Sequence, residues 1–219
     1  MIITIDGPAA AGKGTLSQKL AQRYKLAYFD TGMIYRAVGM DLILKNIDPD
    51  DDEAALQSAN SMTFSNMIEL AKHPDFRSNI GGQAASKVAS KTPVRQVLLK
   101  MQQDFAHNPQ FADGQQAQGV VYDGRDTGTV VCPNADIKLF ITASPEVRAM
   151  RRHKEFIEKG MDSDYDEVLA QTKERDLRDS SRATAPLKPA DDAVIIDTSD
   201  MNIEDVYNKV CEIIDSKKQ

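Results

Sequence analysis

The chain has 219 residues, of which 41% are hydrophobic and 27% are charged, and its net charge is −6. This length predicts one domain with insertions, and the acidic balance argues against binding to a nucleic-acid polymer, which requires a basic surface. No run of 18 apolar residues occurs, so we expect no contact with a membrane. Because a strand-like segment starts the chain in place of a basic and apolar leader, a cytoplasmic protein is predicted.

Apolar, strand-like segments alternate with amphipathic, helical segments along the chain. The predicted strands are Ile2–Ile5, Ala27–Phe29, Val120–Tyr122, Lys138–Thr142 and Ala193–Asp197. The predicted helices are Leu16–Tyr24, Tyr35–Lys45, Pro93–Phe105, Pro145–Lys159 and Ile203–Ile214. The residues before the last two helices, Ser144 and Asn202, are predicted N-caps. Alternation of this kind favours a parallel sheet covered by helices on both faces. We therefore predict an α/β protein with three layers and a five-stranded parallel sheet.

Two regions interrupt this alternation. Residues 46–92 contain several short mixed segments and the acidic run Asp48–Glu53. The run lacks the glycine and the final glutamate of an EF-hand, so a solvated loop is predicted there and not a calcium site. Residues 148–182 carry many charges of both signs, which is typical of a solvated helical face.

A glycine-rich loop precedes the first predicted helix. Its residues are Gly7, Pro8, Ala9, Ala10, Ala11, Gly12, Lys13, Gly14 and Thr15. A strand, such a loop and a helix form a phosphate site, because backbone N–H groups and the helix N-terminus face the anion. The pattern predicts that these nine residues bind ATP, with Lys13 on the β- and γ-phosphates and the Thr15 hydroxyl toward magnesium. The Gly-Lys-Gly-Thr ending resembles nucleoside monophosphate kinases more than GTPases.

A second motif runs from Asp30 to Arg36, where a short strand ends and a helix begins. Ligands bind at this edge of a parallel sheet. Arg36 lies about one turn into the helix, from which it can reach back to a phosphate. Asp30 is a candidate to hold a magnesium-bound water. Taken alone, the seven residues also fit a strand-to-helix turn capped by Thr31.

A third motif runs from Asp123 to Thr129 and follows an apolar strand. An apolar strand that ends in aspartate is the Walker B pattern, which makes Asp123 a candidate partner of magnesium through water. Arg125 is a planar donor suited to phosphate. The alternative is a polar turn that joins a strand to a helix.

A fourth motif runs from Glu174 to Arg182. On a helix, Arg175, Asp179 and Arg182 share one face, because they are spaced at i, i+4 and i+7. This row of cation, carboxylate and cation fits a bound nucleotide. Taken alone, however, the motif favours a surface ladder of salt bridges, which contributes little.

Together the four motifs resemble the cytidylate kinases, the bacterial kinases of CMP, over nearly the whole chain. The resemblance implies one P-loop kinase domain, 1–219, with an inserted CMP-binding subdomain at about 46–92 and a lid at about 148–170. It implies a monomer that phosphorylates CMP and dCMP with ATP, in pyrimidine nucleotide metabolism, by in-line phosphoryl transfer. The implied cofactor is Mg²⁺.

The resemblance also implies the site residues. The catalytic residues are Lys13, Arg36, Arg125 and Arg175, and the three arginines hold the acceptor phosphate. The residues that bind the acceptor nucleotide are Thr31, Arg36, Ser86, Arg95, Asp123, Arg125, Asp126, Arg175, Asp179 and Arg182. Within this set, the cytosine is surrounded by Ser86, Arg95, Asp126 and Arg182, and the sugar is bound by Asp179. Positive charge near the lid, over the ATP, comes from Arg148, Arg151 and Arg152. The metal residues are Thr15, Asp30 and Asp123.

Asp126 supplies a chemical reason for selecting cytosine. A carboxylate accepts a hydrogen bond from the cytosine amino group, whereas uracil presents a carbonyl acceptor at that position. Against uracil, buried polar groups would therefore lack hydrogen bonds.

Three alternatives remain open at this point. The first is a kinase of the same fold that acts on UMP, AMP or a small acid such as shikimate. The second is a P-loop GTPase regulator, although the chain contains neither Asp-x-x-Gly nor Asn-Lys-x-Asp. The third is a nucleotide-dependent binding module without turnover. The loop at residues 110–119 has no assigned role.

Overall fold

A computed structural model describes residues 1–217 of the chain. The strands are β1 (Ile2–Asp6), β2 (Ala27–Asp30), β3 (Val120–Gly124), β4 (Ile137–Thr142) and β5 (Val194–Asp197). The helices before β3 are α1 (Lys13–Tyr24), α2 (Thr31–Leu44), α3 (Asp52–Ser61), α4 (Phe64–Leu70), α5 (Asn79–Ala89) and α6 (Thr92–His107). The helices after β4 are α7 (Pro145–Glu158), α8 (Tyr165–Ser180) and α9 (Ile203–Lys217). Two short turns complete the list, a 3₁₀ turn at Pro74–Arg77 and a π-helical turn at Thr127–Val131.

The five strands form one parallel sheet in the order β2-β3-β1-β4-β5. The predicted α/β fold with a five-stranded parallel sheet is confirmed. β1 lies in the middle, and its last residue, Asp6, pairs with Gly124 of β3 and Phe140 of β4. β3 and β4 therefore lie on opposite sides of β1. Open α/β sheets bind ligands at such a point, beyond the carboxyl ends of the strands. The glycine-rich loop leaves the sheet at this point.

The described residues divide into two compact units. The first contains residues 1–29 and those from 108 onward, and therefore most of the sheet. Ile3 and Ile5 of β1 are fully buried there, because strands of a parallel sheet are covered on both faces. The four-residue spacing of Leu16 and Leu20 places both on the face of α1 that joins the same core, together with Val210 of α9.

The second unit, Asp30–His107, is helical. Its central helix is α2, which packs against α3, α4 and α5. Buried side chains of this unit include Ile34, Val38, Phe76, Val88 and Leu98. The insertion predicted from the resemblance covers about 46–92, which lies inside this unit, and its role in binding CMP stays a prediction. No helix of either unit, within residues 1–217, is both long and apolar enough to cross a membrane.

The structure corrects the local predictions for residues 46–92. The acidic run is only partly a loop, because Asp51 caps α3 by accepting a hydrogen bond from the Ala54 N–H. Asp52 and Glu53 then lie in the first helical turn, where negative charge is favourable. The segments expected to be short and mixed are the helices α3, α4 and α5.

The N-caps predicted outside this region are observed, with one exception. Ser144 accepts from the Val147 N–H at 3.3 Å, and Asn202 accepts from two N–H groups at the start of α9, so both predicted caps are confirmed. The exception is α2, which begins at Thr31, four residues before the predicted start. Thr31 is not its cap, because Asp30 accepts the bond from the Gly32 N–H at 2.9 Å.

Candidate functional site

The loop between β1 and α1 has a backbone that turns sharply beside the sheet. Gly7 follows β1 with φ at +146°, and its Cα lies so close to the Ile141 carbonyl of β4 that a side chain has no room. Gly12, with φ at +88°, precedes α1 and makes no side-chain capping bond. The start of α1 is therefore not capped by its N-cap residue, and such a helix end is suited to bind an anion, as in phosphate-binding loops.

Lys13 is the first residue of α1 and is only 5% exposed. Its ammonium donates a hydrogen bond to the Pro8 carbonyl at 2.9 Å and lies 3.8 Å from a carboxylate oxygen of Asp123. Burial, followed by the positive charge of Arg125, lowers the pKa of Lys13 to about 8, although Asp123 acts to raise it. An anion bound in the loop would favour the protonated amine, so the lysine is suited to a phosphate ligand.

Asp123 is near the end of β3, beside the first turn of α1. A Cβ atom added to Gly14 would lie 3.4 Å from the Asp123 carboxylate, which shows how near this carboxylate is to the start of α1. Thr15 is exposed on the same helical turn. The loop thus has a carboxylate and a hydroxyl next to it, both of which are oxygen ligands. Asp30, the third predicted metal residue, belongs to the helical unit and caps α2.

Three arginines converge on one buried carboxylate, that of Asp179 in α8. Arg125 places its Nε 3.2 Å from one oxygen, and Arg175 has its Nε 3.8 Å from the same atom. Arg182 donates to the other oxygen. Asp179 is 1% exposed, and the side chain of Arg182 is 5% exposed. The surface ladder favoured by the motif alone is therefore wrong, because Asp179 and the side chain of Arg182 are buried, although Arg175 is partly exposed.

The charges around Asp179 favour an anionic ligand. Burial acts to raise the pKa of Asp179, but the positive charges of Arg125, Arg175 and Arg182 outweigh it, and the pKa lies below its ordinary value. Three cations with one carboxylate leave two positive charges on the cluster. Guanidinium groups held in this way match the geometry of phosphate oxygens.

Replacing Asp179 with asparagine should destabilise the protein by about 3 kcal/mol at pH 7, because three guanidinium groups would lose a buried counter-charge. The folded pKa is below the ordinary value of 3.8, so the carboxylate contributes stability above that pH and loses it as the pH falls further. The difference between wild type and Asp179→Asn should therefore shrink below about pH 4. Urea unfolding between pH 7 and pH 3 measures it.

The matched control for this change is Glu204→Gln, which removes an exposed partner of Lys19 in the same unit. We expect it to cost less than about 1 kcal/mol at pH 7. Equal losses for the two variants would contradict a special role of the carboxylate in α8.

The three arginines predicted near the lid have separate protein partners. Arg148 is 2% exposed and donates to the carbonyls of Ala143 and Ala9, and both of its terminal nitrogens bond to Asp176, at 3.0 and 2.5 Å. Arg151 donates to the carbonyl of Thr198 at 2.6 Å. Arg148 thereby ties the glycine-rich loop to α8.

The third of these arginines, Arg152, donates to Glu155 and lies over the ring of Phe156. The side chains of the three arginines therefore do not form a single group in this structure. Their contact with ATP, and the lid at about 148–170, stay predictions.

Four of the residues predicted to bind the acceptor nucleotide belong to the helical unit. Arg36 of α2 donates to the Phe76 carbonyl at 2.8 Å. Arg95 of α6 is 5% exposed, donates to the Ala89 carbonyl and lies 5.3 Å from the ring centre of Tyr35. The other two are buried side chains of α2 and α5, Thr31 and Ser86. Arginine is seldom buried without a partner, and Arg95 has protein partners here, so the nucleotide contacts assigned to these residues stay predictions.

Two residues to which the sequence analysis assigned no role contribute to the loop region. Asp176 is the carboxylate that holds Arg148, and Asp6 accepts hydrogen bonds from Thr127 and Gly128. Asp6 could have been found from the sequence, because it follows an apolar strand in the same way as Asp123. Asp126, which was predicted, is 6% exposed and follows Arg125 directly.

Comparison with known proteins identifies the family. A sequence model described as cytidylate kinase matches residues 3–216. The chain belongs to the cytidylate kinase family. A family member from Paramagnetospirillum magneticum, named cytidylate kinase, is 49% identical over 217 residues, which are 99% of each chain. Another of that name, from Rhodospirillum rubrum, is 48% identical over 219 residues, 100% of this chain and 99% of the relative. The family predicted from the four motifs is confirmed.

The fold is also found in solved structures at low identity. An uncharacterized protein from Eubacterium ventriosum covers 99% of both chains with a TM-score of 0.54 and 15% identity. This likeness concerns the fold alone. Assignment to the family, and to the nucleoside monophosphate kinases among enzymes, depends on the sequence matches.

Proposed function

We propose that this chain transfers the terminal phosphoryl group of ATP to CMP, and also to dCMP, to form CDP and dCDP. The observation that carries the proposal is the joint placement of two cationic groups in one unit. Lys13 lies at the phosphate-type loop, and the positive charges of Arg125 and Arg175 are close enough to contribute to its lowered pKa. Two sets of cations within electrostatic reach fit an enzyme that holds two anionic nucleotides.

The chemistry required is mainly positioning and charge stabilisation. On the donor side, the backbone N–H groups of residues 7–15 and the Lys13 ammonium bind the triphosphate. On the acceptor side, we assign the CMP phosphate to Arg36, Arg125 and Arg175. The acceptor atom is already a phosphate oxygen, so no general base is needed. The cations offset the repulsion between two anions that must approach in line.

We propose Mg²⁺ as the cofactor, held by the Thr15 hydroxyl and, through water, by the carboxylates of Asp123 and Asp30. Among the described residues no group of three or more His, Cys, Asp or Glu side chains is suited to a metal. Magnesium commonly uses one or two carboxylates and takes its other oxygens from phosphates and water, so this donor set fits it. When bound, the ion would neutralise charge on the triphosphate.

Recognition of the base and sugar is assigned to buried polar residues. The cytosine residues of the proposal are Ser86, Arg95, Asp126 and Arg182, and the sugar residue is Asp179. Thr31 and Asp123 complete the nucleotide-binding set. Asp179 has a second role in this assignment, because it also orients the arginines bonded to it.

Replacing Asp126 with asparagine should lower the preference for CMP over UMP by at least about tenfold. An amide can present either a donor or an acceptor to the base, so uracil would no longer leave a buried acceptor unpaired. Steady-state kcat/KM for CMP and for UMP, with ATP saturating, gives the ratio. The control is Asp191→Asn, an exposed carboxylate of the same unit. An unchanged ratio in Asp126→Asn would refute the assignment.

The decisive test of the function is a coupled assay of ADP release with CMP, dCMP, UMP, AMP and GMP in turn. We expect release with CMP and dCMP and much less with the others. A preference for UMP or AMP would identify another acceptor, and ADP formed equally without any acceptor would indicate an ATPase. No turnover with any acceptor would leave a binding module. The proposal also includes a cytoplasmic monomer, and sedimentation at working concentration tests the oligomeric state.

A further inference from the structure

We infer, on the basis of the proposed function, that Asp6 is a positioning residue for recognition of the acceptor nucleotide. Its carboxylate accepts hydrogen bonds from the turn that follows Arg125 and Asp126. These bonds hold the turn against β1, the strand that leads into the glycine-rich loop. No motif in the sequence assigns it a role, and it lies outside the nine residues predicted to bind ATP.

The contacts of Asp6 involve both carboxylate oxygens. One oxygen accepts from the Thr127 N–H and from the Thr127 hydroxyl, each at 2.8 Å, and the other accepts from the Gly128 N–H at 2.7 Å. Asp6 is 4% exposed, and Thr127 is fully buried. A Cβ atom on Gly128 would come within 2.8 Å of the Thr4 hydroxyl, so glycine allows the turn to approach β1. Three donors on one buried carboxylate make a fixed anchor.

The position of this anchor along the chain determines what it controls. In the register of the sheet, Asp6 is paired with Gly124, the residue before Arg125. Its side chain holds Thr127, the residue after Asp126. The two residues assigned to the phosphate and the cytosine are therefore the only ones between two attachments to Asp6. A displacement of this anchor moves both assigned residues together.

The acceptor chemistry of Asp6 supports the same conclusion, because both of its carboxylate oxygens accept hydrogen bonds from the turn. An asparagine would keep one acceptor oxygen but would turn an N–H toward the Gly128 N–H. Two donors facing each other in a buried site cannot both be satisfied, so the turn must shift.

The test uses Asp6→Asn and Thr127→Val in the full chain, with kcat/KM measured for CMP and for UMP under saturating ATP. We expect the CMP-to-UMP ratio to fall by roughly 10-fold or more in Asp6→Asn, since small displacements of binding groups have effects of this size. Thr127→Val removes only the hydroxyl bond to Asp6, so its ratio should fall in the same direction by a smaller factor.

Two further variants separate positioning from loss of stability. Val210→Ala truncates a fully buried side chain of α9 in the same unit, away from the turn, and should leave the ratio unchanged. The double variant Asp6→Asn with Asp126→Asn should have the same ratio as Asp126→Asn alone, because Asp6 acts through Asp126. Additive losses would show independent effects.

The outcomes distinguish this inference from the proposed function. If the wild type does not phosphorylate CMP, the proposed function fails. If it does, an unchanged ratio in folded Asp6→Asn overturns the positioning role, and so does an equal fall in Val210→Ala or additivity in the double variant. If Asp6→Asn does not fold, the ratio measured for Thr127→Val decides the question.

Discussion

Replacing Lys13 with methionine should lower kcat for phosphoryl transfer by about 10²–10³-fold, which is the cost of removing one preorganised charged donor. Methionine retains the length of the side chain and removes its charge. The ammonium is buried beside Asp123 and bonded to the Pro8 carbonyl, so it is already held at the loop before a nucleotide arrives. Single-turnover formation of CDP from ATP and CMP measures the chemical step.

The matched control is Lys19→Met, which removes an exposed charge from the same helix. We expect its kcat to remain within about twofold of the wild type, because a solvated lysine contributes little to a site it does not touch. A Lys13→Met enzyme that retained more than a tenth of the wild-type kcat would contradict the assignment of the donor phosphates to this residue.

The lowered pKa of Lys13 gives this prediction a second readout. With a folded pKa of about 8, part of the lysine population is neutral in mildly alkaline solution. The bound triphosphate favours the charged amine, so binding should be accompanied by proton uptake near that pH. Calorimetry in buffers of different ionisation enthalpy would detect this uptake, and it should disappear in Lys13→Met.

The fold was predictable because its signals are local. Each strand of the sheet is a short apolar run, and helices such as α1 have apolar residues at four-residue spacing. The alternation of strands and helices along the chain then implies that the strands are parallel. α5 was missed for the opposite reason. It contains Gly81 and Gly82, which have poor helix propensity, and both are buried in this helix, which packs against α2. Tertiary packing, which a local pattern does not contain, stabilises that helix.

The candidate site was predictable to the same extent. Lys13, Asp123 and Arg125 stand in motifs whose position at strand ends implies proximity, and the structure places them together. The burial of Asp179 was not predictable, because residues at i, i+4 and i+7 share a face whether or not that face is covered. Only the packing of α8 in the folded protein shows that the Asp179 carboxylate is buried and is not part of a surface ladder of salt bridges.

The partners of the arginines were the least predictable feature. Arg148 bonds to Asp176, 28 residues away, and to the carbonyl of Ala9, 139 residues away. Backbone carbonyls are present at every position and carry no sequence signal, so a guanidinium assigned to a ligand from sequence can instead bond to the protein. Asp6 differs, since a carboxylate that ends a buried strand needs donors nearby.

Replacing Gly7 with alanine should destabilise the protein by at least about 3 kcal/mol, through overpacking and a strained backbone. The new methyl group would meet the Ile141 carbonyl, whose carbon would be 3.0 Å away and whose oxygen would be closer still. Backbone atoms of β4 cannot move aside, because that strand pairs with β1 and β5. The loop would then have to leave the sheet edge, so the affinity for ATP should fall as well.

Gly160→Ala separates the two causes of this loss. Gly160 also has a positive φ, +71°, but an added Cβ would meet nothing within 4 Å. Backbone strain alone should cost about 1 kcal/mol there. Urea unfolding followed by circular dichroism, with ATP titrations of each folded variant, measures both effects. If Gly7→Ala lost no more stability than Gly160→Ala, the close approach of the loop to β4 would not be what requires glycine at the start of the phosphate site.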